Sequence, residues 1–288
     1  MHRWDTVAIV GVGLIGGSVG LALRERKLAK RVVGIGRREA SLAEAEKCGC
    51  IHRGTTNLAR GIANAELIVI ATPVEQILQS VRDTASHAAA GAILTDAGST
   101  KNSIVEEAEK IVGGIARETG RKVSFVGGHP LAGSEKTGPD AARADLFQDR
   151  VVVITPTAYT DRSAAQTITE FWEQLGASVM RMGAGEHDQA MATTSHLPHL
   201  IAAALAAATP EELTSLTAGG WRDTTRIAAG DPELWRQIFL ANQTHTLKAL
   251  ADFETVLTRF RTALEAADGS VLASLLAEGK RRRDAVGS

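Results

Sequence analysis

A histidine stands between two glycines and a proline in the stretch GGHPLAGSE, residues 127–135, directly after the apolar run Val123, Ser124, Phe125, Val126. Imidazole exchanges protons near neutrality. A core histidine usually lies within a strand or helix, whereas Gly127, Gly128 and Pro130 all oppose regular structure around His129. That placement marks a candidate site without naming a reaction. Farther on, Arg222 and Arg226 in WRDTTRIA are four apart and share one face of a helix. Two guanidiniums so placed suit a carboxylate, with a directionality that lysine lacks. The plainer reading is an ion pair between Asp223 and Arg226. His196 and His199 in SHLPHL are three apart, but no third ligand is near enough to make a metal site.

Near the start, VAIVGVGLIGGSVGLAL sets Gly11, Gly13 and Gly16 in G-x-G-x-x-G spacing, with Leu14 and Ile15 filling the gap. One glycine permits the tight turn, one lets a pyrophosphate approach the backbone, and one lets helix and strand pack closely. The free N–H groups of the following helix would receive the phosphates. About 20 residues later an NAD site usually offers a carboxylate to the ribose. Here Gly36 holds that place, followed by Arg37 and Arg38. This favours NADP over NAD, because arginine accepts a 2′-phosphate that a carboxylate would repel. The alternative is that both arginines merely open a solvated helix.

These residues need a frame. Strands are expected at 6–10, 31–35, 67–71, 92–95, 123–126, 151–154 and 178–182, with helical segments such as 75–86 between most of them. That alternation predicts an α/β fold with a mostly parallel, doubly wound, Rossmann-type sheet over residues 1–183. Residues 48–64 give no clear assignment. Ligands of such a sheet lie beyond the carboxyl ends of its strands. Three later strands end there in polar groups: Thr72, beside Pro73; Asp96 and Ser99 in LTDAGSTK; and His129. Singly, Thr72 and Pro73 read as turn chemistry and Ser99 as a helix cap. From Glu186 onward no strand pattern remains, so residues 184–288 are expected to be all helical. Leu250, Phe253, Leu257, Phe260 and Leu264 step by 3, 4, 3, 4, a narrow seam that suits packing against a second copy of the chain. In a lone domain the same seam would be core.

The 288 residues are 44% hydrophobic and 23% charged, with a net charge of -1. No global basic field invites nucleic acid or an anionic membrane. The basic run Lys280 to Arg283 reads as a solvated helix end. No apolar stretch approaches the ~20 residues that span a bilayer, and the opening stretch is not expected to act as a signal peptide. Cys48 and Cys50 are too few and too close for a disulfide framework or zinc site, which fits a reducing cytoplasm.

Taken together, GVGLIGGSVGLAL, TDAGSTK, GGHPLAGSEKTG, HDQAMATTSHLPH and GGWRDTTRIAAGDPELWRQI resemble the prephenate/arogenate dehydrogenase family of tyrosine biosynthesis, in order from residue 7 to about 240. The resemblance implies a dinucleotide-binding domain followed by a helical dimerisation domain, and no metal. It implies that His129 bonds the C4 hydroxyl of a cyclohexadiene and assists its deprotonation as hydride leaves. Ser99 would bridge that hydroxyl and the nicotinamide. By the same resemblance Arg226 clamps a substrate carboxylate with Arg222 in support, His199 faces the substrate, and His196 supports the cofactor side. His187 and Asp188 are expected as capping or interdomain residues, and Trp221 and Trp235 as packing of the interdomain wall. Prephenate is expected ahead of arogenate. No segment reads as a fused mutase or tyrosine-sensing domain, so regulation is expected at the active site. The rivals are a β-hydroxy-acid dehydrogenase, which would need a helical lysine such as Lys248 as base, and a non-catalytic NADP-binding sensor.

Overall fold

Each apolar run of the first half finds a parallel neighbour. The computed structural model describes residues 4–134 and 136–287. Its opening elements are β1 (Trp4–Val10), α1 (Leu14–Glu25), β2 (Ala29–Ile35), α2 (Glu39–Lys47), β3 (Arg53–Thr55) and α3 (Leu58–Ile62). There follow β4 (Leu67–Ile70), α4 (Val74–His87), β5 (Ile93–Asp96), α5 (Asn102–Thr119) and β6 (Ser124–Val126). The strands lie in the order β3-β2-β1-β4-β5-β6, all parallel. This is the doubly wound order, whose crevice opens where the order reverses, between β1 and β4. Leu67 to Ile70 are fully buried without alternation, as expected of a central strand covered on both faces. Val10 is level with Ile35 and Ile70, and Ile70 with Asp96, so these strands finish along one rim.

Two strands depart from the sequence reading. β3, from the unassigned stretch, is only Arg53, Gly54 and Thr55, and it exists because β2 offers an edge to pair with. β7 (Gly128–Pro130) contains His129 itself. It pairs antiparallel with β8 (Val151–Ile154), His129 level with Val153, while β8 pairs parallel with β9 (Ser178–Arg181). α6 (Arg162–Gln174) joins β8 to β9. The last two expected strands therefore belong not to the large sheet but to a second, three-stranded one. The switch happens at Gly127, where a Cβ would come within 2.5 Å of Thr155 Oγ1 and 2.6 Å of Val105 Cγ2. Pro130 is tolerated because β7 is the edge of its sheet.

The second half is helical throughout. α7 (Ala184–Met191) passes through a π-helical turn, Ala192–His196, into α8 (Leu197–Ala208). α9 (Gly219–Thr225), α10 (Pro232–Ala241), α11 (Gln243–Glu265) and α12 (Gly269–Asp284) follow. Leu250 and Phe253 of the seam pack on Ala192, Leu197 and Ala249. Leu257 and Leu264 remain 48% and 65% exposed, as does Leu247 at 58%. The seam is thus part core and part open apolar face.

Several contacts bind the halves. Ile238 of α10 is buried in the core of the large sheet, with Trp235 packed beside it. Arg236 Nη2 lies 2.8 Å from Glu75 Oε1, and Gln237 Oε1 accepts from the Glu75 N–H at 3.5 Å. Asp188 of α7 reaches the N-terminus of α5.

Candidate active site

At the rim of β1, Gly11 adopts φ 93°, and a Cβ there would lie 2.6 Å from the Ala71 carbonyl oxygen. A Cβ on Gly16 would collide with the Gly11 carbonyl oxygen. Gly13 is different: nothing lies within 4 Å of its Cβ position, and it begins α1 without any side-chain cap. The first N–H groups of α1 therefore have no side-chain cap, and the Gly13 turn leaves room for a pyrophosphate beside them. Leu14 and Ile15 turn their side chains onto the core beneath. At the end of β2, Gly36 is followed by Arg37 and Arg38, both exposed, and no ion pair engages either among the described residues. On the next strand Thr72 is half-buried with Oγ1 3.4 Å from Ser80 Oγ, and the exposed Pro73 precedes α4.

Asp96 corrects the sequence reading. Its carboxylate is fully buried and accepts from the N–H groups of Gly98 (2.9 Å) and Gly128 (3.0 Å). It is also ion-paired with Lys101, equally buried. Asp96 therefore braces the turn before His129 and offers no free oxygen to a cofactor. Burial pushes the Lys101 ammonium below its usual range, against the pull of Asp96. Nothing in the sequence marks Lys101, because a lysine after a turn ordinarily reads as solvated.

A cleft of about 570 Å³ opens between the two halves. Ser99 and His129 reach it from the sheet half, and His196, His199, Arg226 and Trp235 from the helical half. His129 is half-buried, and its Nδ1 lies 2.8 Å from His187 Nε2, the two rings meeting edge to face. His187 is fully buried, with Nδ1 2.8 Å from Asp188 Oδ1. Asp188 in turn accepts from the N–H groups of Lys101 (2.7 Å) and Asn102 (2.9 Å). Burial, reinforced by His187, Lys101 and His196, holds the His129 ring well below the usual imidazole range. Burial opposes the Asp188 charge, but the bonds from His187 and the α5 amides outweigh it and lower its pKa. The spacing of His187 and Asp188 spoke of caps; that they would meet His129 was invisible, because 58 residues separate the two histidines.

His196 is buried with Nδ1 3.2 Å from Asn242 Nδ2, and burial pushes it down to about 4. His199 is also lowered to about 4 by burial, and it stacks on Trp235 with ring centroids 3.4 Å apart. Arg226 lines the cleft with no protein partner, and no ion pair joins it to Asp223 among the described residues. Arg222 stands exposed on α9, one turn away, and does not line the cleft. Trp221 donates to Thr209 Oγ1 at 2.9 Å within the helical half and does not line the cleft. Lys248 is exposed and paired with Asp252, away from the cleft. Asp231 caps α10 at the cleft edge, accepting from the Glu233 N–H at 2.9 Å.

Two family models match the chain: prephenate dehydrogenase, nucleotide-binding domain, over residues 19–181, and prephenate dehydrogenase, dimerization domain, over residues 183–278. A prephenate dehydrogenase of Bacillus subtilis is 34% identical over 287 residues, spanning 97% of this chain and 76% of that protein. The crystal structure of prephenate dehydrogenase from A. aeolicus in complex with hydroxyphenyl propionate and NAD+ is 32% identical, with a TM-score of 0.90 over 98% of each chain. Synechocystis arogenate dehydrogenase is 30% identical, with a TM-score of 0.82 over 98% of this chain and 99% of that one.

Proposed function

The chain belongs to the prephenate dehydrogenase family, and from that premise we propose how its own residues carry out the oxidative decarboxylation of prephenate. It is an NAD(P)-dependent oxidoreductase. Prephenate loses hydride from C4 and its ring carboxylate as CO₂; the C4 hydroxyl gives up its proton as hydride leaves and regains one as the ring aromatises, leaving 4-hydroxyphenylpyruvate. The bound nicotinamide supplies the hydride acceptor. His129 takes the hydroxyl proton at Nε2, since Nδ1 is already bonded to His187. A ring held below the ordinary imidazole range is deprotonated at neutral pH and ready to accept. Ser99 orients the hydroxyl beside it. Arg226 binds a substrate carboxylate through its unpaired guanidinium, with Arg222 adding positive potential from the surface. His199 and His196 complete the far wall.

The observation that carries this reading is the convergence of His129 and Ser99 with Arg226 and His199 on one cleft. One feature favours arogenate as a second reading. Asp231 lines the same cleft, and a carboxylate suits the ammonium that arogenate carries in place of the keto group of prephenate. For the cofactor we favour NADP, received by the glycine turn, Thr72 and Pro73, with Gly36, Arg37 and Arg38 around the 2′-phosphate. We divide the chain into a cofactor domain, 1–183, and a helical substrate and homodimer domain, 184–288, joined across copies by the open part of α11. Cys48 and Cys50 are free thiols, and no described helix is long and apolar enough to cross a membrane, which supports a cytoplasmic setting.

Initial rates with prephenate or arogenate, each with NAD⁺ or NADP⁺, test the whole reading through absorbance of the reduced cofactor. Fastest turnover is expected with prephenate and NADP⁺. No turnover in any of the four combinations would defeat the proposal and would suit a sensor instead.

A further inference from the structure

We infer that His187 and Asp188 fix which ring nitrogen of His129 carries the proton, acting across the junction of the two halves. The inference rests on the base role just proposed for His129. Asp188 is the fixed end of the chain of bonds. Both its oxygens accept from backbone N–H groups at the start of α5, where the helix dipole favours a negative charge. A carboxylate can only accept. The hydrogen between Asp188 Oδ1 and His187 Nδ1, 2.8 Å apart, therefore lies on Nδ1. A singly protonated His187 then presents a lone pair at Nε2, so His129 Nδ1, 2.8 Å away, is the donor. The lone pair of His129 is left on Nε2, the ring nitrogen not bonded to His187, on a side chain that lines the cleft.

The opposite direction would need a doubly protonated His187. That would set a second buried cation beside the His129 ring, which Lys101 already faces. An isolated histidine side chain prefers its proton on Nε2, the form that cannot accept from a substrate hydroxyl. His187 and Asp188 are thus positioning residues that hold His129 in the less common, accepting tautomer. When Nε2 takes a proton, the Nδ1–H bond is already in place and no partner has to rearrange.

Long-range ¹H–¹⁵N correlation on the intact, ¹⁵N-histidine-labelled chain reads the tautomer without substrate or cofactor, with His129 identified from the spectrum of His129→Gln. At pH 8 the expected ring is protonated at Nδ1 and bare at Nε2. A ring protonated at Nε2 overturns the inference. In Asp188→Asn an amide can donate to His187 Nδ1 and reverse the chain of bonds. The His129 signals should then exchange to the other tautomer, and kcat should fall at least ~100-fold, following the logic of tautomer control by a buried carboxylate. A fall in kcat with unchanged ring signals would mean that Asp188 serves only the fold, and would also overturn the inference. His187→Phe, which keeps a buried ring but removes the acceptor, should release His129 into a mixture of tautomers; an unaltered spectrum counts against the role of His187. A wild-type ring in the expected tautomer, in a chain that turns over neither substrate, would defeat the proposed function and leave this inference standing.

Discussion

His129→Asn removes the proton-accepting ring while leaving the glycine turn of β1 untouched. The expected result is a kcat at least ~100-fold lower with cofactor affinity kept, the usual scale for a positioned base. Steady-state rates and a cofactor titration decide it, and unchanged turnover would remove His129 from the mechanism. Replacing Arg37 and Arg38 together by Ala should weaken NADP much more than NAD, because a 2′-phosphate loses charge-assisted bonds that a ribose hydroxyl never had. Equal losses for both cofactors would show that neither arginine reads the phosphate. Several histidines, those of the cleft among them, also tie stability to pH. His196 and His199 are lowered to about 4 and His129 is lowered well below 6.5. The unfolded chain therefore binds more protons than the folded one between about pH 6.5 and 4, so stability is full above that window and falls through it as pH drops. Carboxylates held low in the fold, such as Glu233 at about 2, contribute stability that is fully present above their unfolded value near 4 and is lost only as pH falls below it. Calorimetry should show Tm falling already between pH 6.5 and 4.5, and a flat Tm there would contradict the buried, neutral histidines.

Among the elements, α10 does two things at once. It supplies Trp235 to the cleft and drives Ile238 into the core of the large sheet. Ile238→Ala should cost roughly 2–5 kcal/mol in urea unfolding, the range for truncating a buried aliphatic side chain. A cost well under ~1 kcal/mol would mean that the contact is superficial. Which elements were legible from the chain follows from the same physics. Strands such as β4 announce themselves as uninterrupted apolar runs. β3 does not, since Arg53, Gly54 and Thr55 have no strand pattern of their own and pair only because β2 leaves an edge open. β7 reads as a break, since glycine and proline dominate it, and its pairing partner lies 24 residues onward. The same distance problem hid the pairing of His129 with His187, whereas the glycine turn was readable because its whole function lies within six residues. Burial, too, is a property of the fold: nothing in TDAGSTK says that its aspartate and lysine are enclosed together.

For the whole molecule, the unfinished surface is the outer face of α11. Leu257 and Leu264 are about half exposed or more, which a solitary chain has no reason to maintain side by side. Leu257→Glu with Leu264→Glu should halve the mass measured by sedimentation equilibrium while leaving the far-ultraviolet circular dichroism intact. A mass that is already that of one chain in the wild type would dismiss the homodimer. Asp188 carries a consequence of another kind. One carboxylate of the helical half both receives the start of α5, in the sheet half, and anchors an imidazole pair that spans the two halves. Slippage between the halves by an ångström or so would disturb proton affinity at the cleft well before either half began to melt. Rising denaturant should therefore silence the catalyst while its spectroscopic signature is still native.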